Sequence, residues 1–249
     1  MDLFGIVLGI AIGVLVWALS RLLPFRRNDG PSQPGWDIVA AIAGSVFGAV
    51  LSPPLEAGIG WLAGFIEGWT MALAGAPLWL MLPIYLLAAD CGAYWTHRML
   101  HSRRLWSTHA FHHSPERLNW LSGLRGSPVH ILLVLAPYSL ALMLFPVPQS
   151  GRLGLALLVL YTINQHLIHS NVRVPYSRRI EYLLVTPRFH FAHHDRRTAI
   201  GNSNYGFIFA IWDRLFGTYT DPDTVDANAE LGIAEEISPW RMLIGLPAP

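Results

Sequence analysis

Five apolar runs dictate what this chain can fold into. Leu3 to Leu19 is long enough to cross a bilayer as a helix, which takes about 20 residues. Ile38 to Leu51 is shorter but extends through Trp36. Leu78 to Ala89 opens a helix expected to continue past Asp90 to His101. Val129 to Val147 and Leu153 to Ile168 are separated only by Pro148, Gln149, Ser150, Gly151 and Arg152, which predicts a tight hairpin over 129–168. Between Pro53 and Pro77 lies a softer segment with Glu56 and Glu67: a surface helix, a re-entrant piece or a poor sixth span. The expected fold is all-α, a multi-pass transmembrane helical bundle of about five spans, with the more polar region after Ile168 forming a cytosolic helical cap that holds a histidine-rich dimetal site.

Arginine placement orients the bundle. Arg21, Arg26 and Arg27 follow the first run, and Arg98, Arg103, Arg104, Arg117 and Arg125 separate the third from the fourth. Arg173, Arg178, Arg179, Arg188, Arg196, Arg197 and Arg214 follow the fifth, whereas Arg152 sits on the opposite side. Cytoplasmic loops carry the excess of basic residues, so these loops and the C-terminus are expected inside and the N-terminus outside. Five crossings satisfy this pattern and a sixth would upset it. No positive region and no small-residue cleavage site accompany the first run, so it is read as a retained helix. The expected location is a bacterial inner membrane.

Charged residues make up 13% of the chain, against about 25% in soluble domains. Net charge is +1, all 17 basic residues are Arg, and no basic patch of nucleic-acid type is present. Cys91 alone builds neither a disulfide framework nor a cysteine zinc site, and reads as a small buried apolar residue. Three regions are expected: an N-terminal transmembrane region 1–89, a catalytic region 90–220, and an acidic, Pro-rich C-terminal tail 221–249. Helices are expected over Arg178–Val185 and Phe207–Phe216.

The 11 histidines all lie between His97 and His194. Ten form four clusters: His97 and His101; His109, His112 and His113; His166 and His169; and His190, His193 and His194. Spacings of three and four put each cluster on one helix face. One ion that keeps an open position takes three or four protein ligands, so ten imidazoles imply two ions. The expected topology brings all ten to the cytoplasmic face. Imidazole suits Fe, Zn, Cu and Ni. A zinc hydrolase needs a carboxylate base near its metal water, yet only Glu116 and Asp195 lie beside the clusters. Cleaving an unactivated C–H bond calls instead for a redox metal and O₂.

These residues carry a resemblance. Asp90–His101, Trp106–Ser114, His169-Ser170-Asn171, Pro187–His194, Asn204-Tyr205-Gly206 and Trp212–Thr218 together resemble the fatty acid hydroxylase/sterol desaturase superfamily of membrane di-iron enzymes. The likeness covers about half the chain. It implies that His97, His101, His109, His112, His113, His190, His193 and His194 hold two iron ions, with His169 a ninth ligand and His166 a tenth or a neighbour of the ligands. It also implies hydroxylation or desaturation of a lipid entering from the bilayer. O₂ would be co-substrate and a separate cytochrome, ferredoxin or reductase the electron donor; zinc could replace iron in a purified sample.

Asp90, seven residues before His97 in an apolar helix, is expected to orient an imidazole N–H, or to be a helix-end acid at the headgroups. Asn171 and Asp213 are expected to brace ligands likewise. His130, at a span entrance, reads as an interfacial histidine bonded to backbone. Trp95, Trp106, Trp120 and Trp212 read as an interfacial belt. Two other classes stay open: a zinc-dependent, non-redox lipid enzyme, and a metal-handling membrane protein without catalysis.

Overall fold

The computed structural model describes residues 3–26, 33–73, 75–145, 147–148, 151–197, 201–225 and 229–248. Among them are helices and isolated bridges but no strand. The long elements are α1 (Leu3–Leu22), α2 (Pro34–Ala63), α3 (Glu67–Leu73), α4 (Leu78–Leu100), α5 (Trp106–His113), α6 (Pro128–Leu144) and α7 (Gly151–Ile168). Short helices follow: α8 (Ser177–Ile180), α9 (Pro187–His193), α10 (Ile211–Leu215) and α11 (Pro239–Leu243).

Backbone groups in lipid can bond only to one another, so apolar runs become helices even across proline. Pro53 and Pro54 lie inside α2, Pro83 inside α4 and Pro137 inside α6. The softer segment therefore carries the end of α2 and the short α3. α2 runs through it and, by a 3₁₀ turn at Gly64–Ile66, into α3, giving one 40-residue apolar stretch, Pro34–Leu73.

Phe4–Leu22, Pro34–Leu73 and Leu78–Leu100 are long and apolar enough to cross a membrane. α6 is apolar but shorter. α7 carries Thr162, Asn164, Gln165 and His166 in its second half and falls outside that set.

The predicted hairpin is less tight than its short linker suggests. α6 lies between α4 and α2, whereas α7 lies along α1. The two legs meet through side chains such as Tyr138 and Tyr161, whose rings are 4.9 Å apart. Gly92 lets α4 approach α6, because a Cβ there would come within 2.9 Å of Pro137.

Beyond α7 the chain is mostly irregular. Helix covers only Ser177–Ile180 of the first expected helical segment and Ile211–Leu215 of the second. Their backbones bond to each other instead: Val185 N–H donates to Ile208 O and Ala210 N–H to Leu183 O. The C-terminal segment is no free tail. Ile237, Met242 and Leu243 bury themselves with Phe111 of α5 and Ala40 of α2. The C-terminal ends of α4 and α7, the N-terminal end of α6, and helices α5 and α9 converge at one end of the bundle, and there the histidines lie.

Candidate metal centre

Nine imidazoles form two adjoining groups in which the potential ligand nitrogens lie within 4.8 Å of one another. His97 and His101 of α4, His109 and His113 of α5, and His193 of α9 make one. His112 of α5, His169 just past α7, and His190 and His194 at the end of α9 make the other. No carboxylate belongs to either.

The outer nitrogens fix how these rings point. Nδ1–H of His97 donates to Tyr205 O at 2.8 Å, of His193 to Ser203 O at 2.8 Å, and of His101 to Asn202 Oδ1 at 3.1 Å. His112 Nδ1–H donates to Arg125 O at 3.2 Å and His169 Nδ1–H to Gln165 O at 2.8 Å. A carbonyl only accepts, so a neutral ring bonded this way bears its proton on Nδ1 and a lone pair on Nε2. The Nε2 atoms of His112 and His169 nevertheless face each other at 3.2 Å, with no proton to share. The Nε2 atoms of His97, His101 and His193 are buried without a partner. Lone pairs so placed are stable around a cation, and separations near 3 Å match neighbouring donors on an ion bound at about 2.1 Å. The residues therefore fit a pair of metal ions.

Burial holds these imidazoles neutral, the form a ligand requires. It pushes His101 down to about 3 and His169 to about 4. Burial, reinforced by the surrounding imidazoles, takes His109, His112, His113, His190, His193 and His194 well below the ordinary histidine range.

The remaining expected residues take other places. His166 enters neither group: its Nε2 meets Gly9 O of α1 at 3.2 Å and its ring packs on Trp120 at 5.1 Å. Asp90 bonds no imidazole. Its carboxylate is fully buried and accepts the N–H groups of Ile208 (2.8 Å) and Phe209 (2.9 Å) and the indole N–H of Trp212 (2.9 Å). Asn171 also touches no ligand; its side chain bonds the backbone of Arg26 beyond α1. Asp213 braces an imidazole at one remove. It accepts the N–H groups of Tyr205 and Gly206, each at 2.7 Å, and thereby positions the Tyr205 carbonyl that holds His97. Burial raises Asp213 to about 6 against the lowering effect of these bonds.

His130 is not an interfacial, backbone-bonded histidine. Its Nδ1 lies 2.8 Å from Nδ1 of His109 and the two rings stack at 4.9 Å. With Nε2 of His109 directed at the metal position, its Nδ1–H donates to His130. Two further residues escaped the sequence reading. Gly123 lies so close to His169 that a Cβ would come within 2.5 Å of the ring. Arg125 supplies the carbonyl under His112, while its guanidinium is buried against Asp37 at 2.6 Å. Of the four tryptophans expected in an interfacial belt, Trp95 is exposed; Trp106 packs on His101 and His113, Trp120 on His166, and Trp212 serves Asp90.

Comparison with known proteins gives a coherent set. A family model described as fatty acid hydroxylase matches residues 82–218, more than half the chain. An ornithine lipid hydroxylase from Rhizobium tropici is 28% identical over 240 residues, covering 90% of this chain and 69% of that protein. Human alkylglycerol monooxygenase is 37% identical over 134 residues, covering 53% of this chain and 29% of the relative. A Delta(7)-sterol-C5(6)-desaturase from Nicotiana tabacum is 33% identical over 153 residues, 58% of this chain and 51% of the relative. The chain thus spans about two thirds of the first relative and about half or less of the other two. No solved structure matches.

Proposed function

The chain belongs to the fatty acid hydroxylase family, and from that premise we propose that it hydroxylates a C–H bond of a lipid with two iron ions, O₂ and external electrons. The observation that carries the reading is the pair of adjoining all-imidazole groups, with five of the nine rings pinned through Nδ1 to oxygen acceptors so that Nε2 bears the lone pair. His97, His101, His109, His113 and His193 would hold one ion; His112, His169, His190 and His194 the other. Bound there, the ions supply O₂ activation and the electron capacity that C–H cleavage needs. The protein fixes the imidazoles and keeps bulk water out with the fully buried Leu100, Phe111 and Phe189 around them.

The substrate is a membrane lipid that arrives laterally. The names of two relatives, which specify ornithine lipid and alkylglycerol, support a polar membrane lipid as the substrate. Hydroxylation is preferred to desaturation because it needs one C–H cleavage rather than two. Electrons come from a cytochrome, a ferredoxin or a reductase. Residues 90–220 form the catalytic region. Five crossings, by α1, α2 with α3, α4, α6 and α7, put the imidazole end on the cytoplasmic side of a bacterial inner membrane. This is supported by the arginine-rich loops at that end and by the Trp69 indole reaching Leu144 O at the other. Among the described residues neither histidine group includes a carboxylate, which disfavours a zinc hydrolase.

The test joins metal analysis of protein purified without chelators to lipid mass spectrometry of cells with and without the chain. Two irons per chain and a lipid that gains one oxygen atom only under air are expected. A lipid product formed equally under strict anaerobiosis would overturn the redox reading. An unchanged lipid profile with bound metal would favour metal handling.

A further inference from the structure

The segment following α9 belongs, by the sequence, to a cap outside the membrane, but its anchor lies deep in the bundle. Asp90 is ten residues before the end of α4, about 15 Å at ~1.5 Å per residue, and twelve after its start. In a helix that spans a core of about 30 Å, this puts the carboxylate near mid-depth. Asp90 bonds the N–H groups of Ile208 and Phe209. Two further helices hold that loop inside the bundle: Asn164 Nδ2 of α7 donates to Phe207 O at 3.0 Å, and the Phe207 ring lies 6.4 Å from Tyr138 inside α6. The loop is thus held below the imidazoles, between spanning helices.

Its outer neighbours are mostly apolar and exposed, with the Arg214 guanidinium 4.7 Å from the Tyr182 ring. Leu183 and Val185 pair with Ala210 and Ile208, so Tyr182–Leu184 lies at the same level. Tyr182 is 68% exposed, Leu183 53% and Leu215 63%. Between Glu181 and Arg188 there is no charged side chain. This surface continues into the outward stripe of α4: Phe216 packs on Trp95 at 4.9 Å, and Leu87, Trp95 and Met99, at intervals of eight and four residues along one face, are all exposed. Apolar side chains in water are costly, and a contiguous patch of them marks a covered face.

We infer that Tyr182–Leu184 and Leu215–Phe216 form a lipid-immersed flank of the catalytic region, covered by the acyl chains of the leaflet on the imidazole side. The inference rests on the reading that α4 spans the membrane. It brings acyl chains alongside the loop that carries the Tyr205 brace of His97, so lipid reaches the metal end without leaving the bilayer.

The unmodified full chain in vesicles containing a lipid with a diazirine on its acyl chain provides the test, with adducts mapped by peptide mass spectrometry. Adducts are expected on Tyr182–Leu184, within the tryptic peptide 180–188, and on Leu215–Phe216, at yields like those on the outward α4 residues. Adducts on α4 but none on the flank would overturn the inference and leave the span reading standing; no adducts on either would overturn both. A nitroxide attached to Leu183→Cys or Leu215→Cys in a Cys91→Ala background gives a second measurement. Its relaxation should respond to O₂ far more than to a water-soluble nickel chelate, the reverse of a label on the exposed Glu236→Cys. Chelate access like that at 236 would put the flank in water. Shielding from both reagents would assign it to a second copy, and either result overturns the inference.

Discussion

The five-histidine and four-histidine groups look alike from inside but rest on different supports. In the first, three outer nitrogens hold to one short loop: Asn202, Ser203 and Tyr205 receive His101, His193 and His97. That loop is clamped by Asp213, and its continuation by Asp90. In the second, His112 and His169 hold to carbonyls of Arg125 and Gln165. His190 and His194 have Nδ1 atoms without a partner among the described residues. One group is therefore set by a loop and the other by the seating of Arg125 and Gly123 under α2 and α7. Substitutions at the supports should separate the groups, whereas loss of a ligand should not.

The largest effect is expected at a ligand. His193→Ala should abolish turnover and lower bound metal while leaving membrane insertion intact, because His193 lies outside every long apolar helix. Full activity would refute the site assignment. Next in size is Gly123→Ala, whose Cβ would meet Cγ and Nδ1 of His169 at 2.5 Å. Gln165 Nε2–H donates to Gly123 O at 2.6 Å, so the loop cannot back away easily. A ligand displaced by about 1 Å costs on the order of 10²-fold in rate. Metal analysis should show one ion lost from the four-histidine group and one retained; two retained ions would break the comparison.

The convergence of nine of the ten clustered histidines was legible because helical spacing aims rings at one point without any knowledge of the fold. His166 shares that spacing with His169, but His169 lies beyond the last residue of α7 and turns away from the face His166 keeps toward α1. His130 was missed because a solitary histidine has no periodicity; only folding stacks it on a residue 21 positions away. Asp90 stood out as an acid in an apolar helix, yet its partners are backbone groups more than a hundred residues later, which no local pattern encodes. The runs gave the helices but not their joins. Pro53 and Pro54 signal an end in water, and no such end occurs where the helix has nothing else to bond with.

Arg125 tests the four-histidine side through stability. Its guanidinium bonds Asp37, Gln33 and Ser114, and Asn119 completes the Asp37 carboxylate. Removing one partner of a buried pair strands the other charge and costs about 3–5 kcal/mol. Asp37→Leu should lower the melting temperature of the metal-free protein and weaken metal in the four-histidine group more than in the other. Replacing both partners, Asp37→Leu with Arg125→Met, should recover most of the stability, since no unpaired charge remains. Equal loss in single and double variants would show that the pair itself, and not the stranded charge, holds the loop.

The smallest expected effect is on the five-histidine side, at the one outer support that is an imidazole. His130 Nδ1 receives His109 Nδ1–H at 2.8 Å, and removing such an outer partner typically costs 10–100-fold in metal affinity. His130→Leu keeps the bulk and deletes the acceptor, so metal should be held about that much more weakly. Asn places Oδ1 where Nδ1 of histidine stood, so His130→Asn should restore most of the affinity. A packing role predicts the opposite ranking, because Leu fills the site better than Asn. Competition with a chelator of known affinity, run on both variants, separates the two. If Leu binds metal as well as the unmodified chain, His109 is oriented by its helix alone and the outer imidazole contributes nothing to the first group.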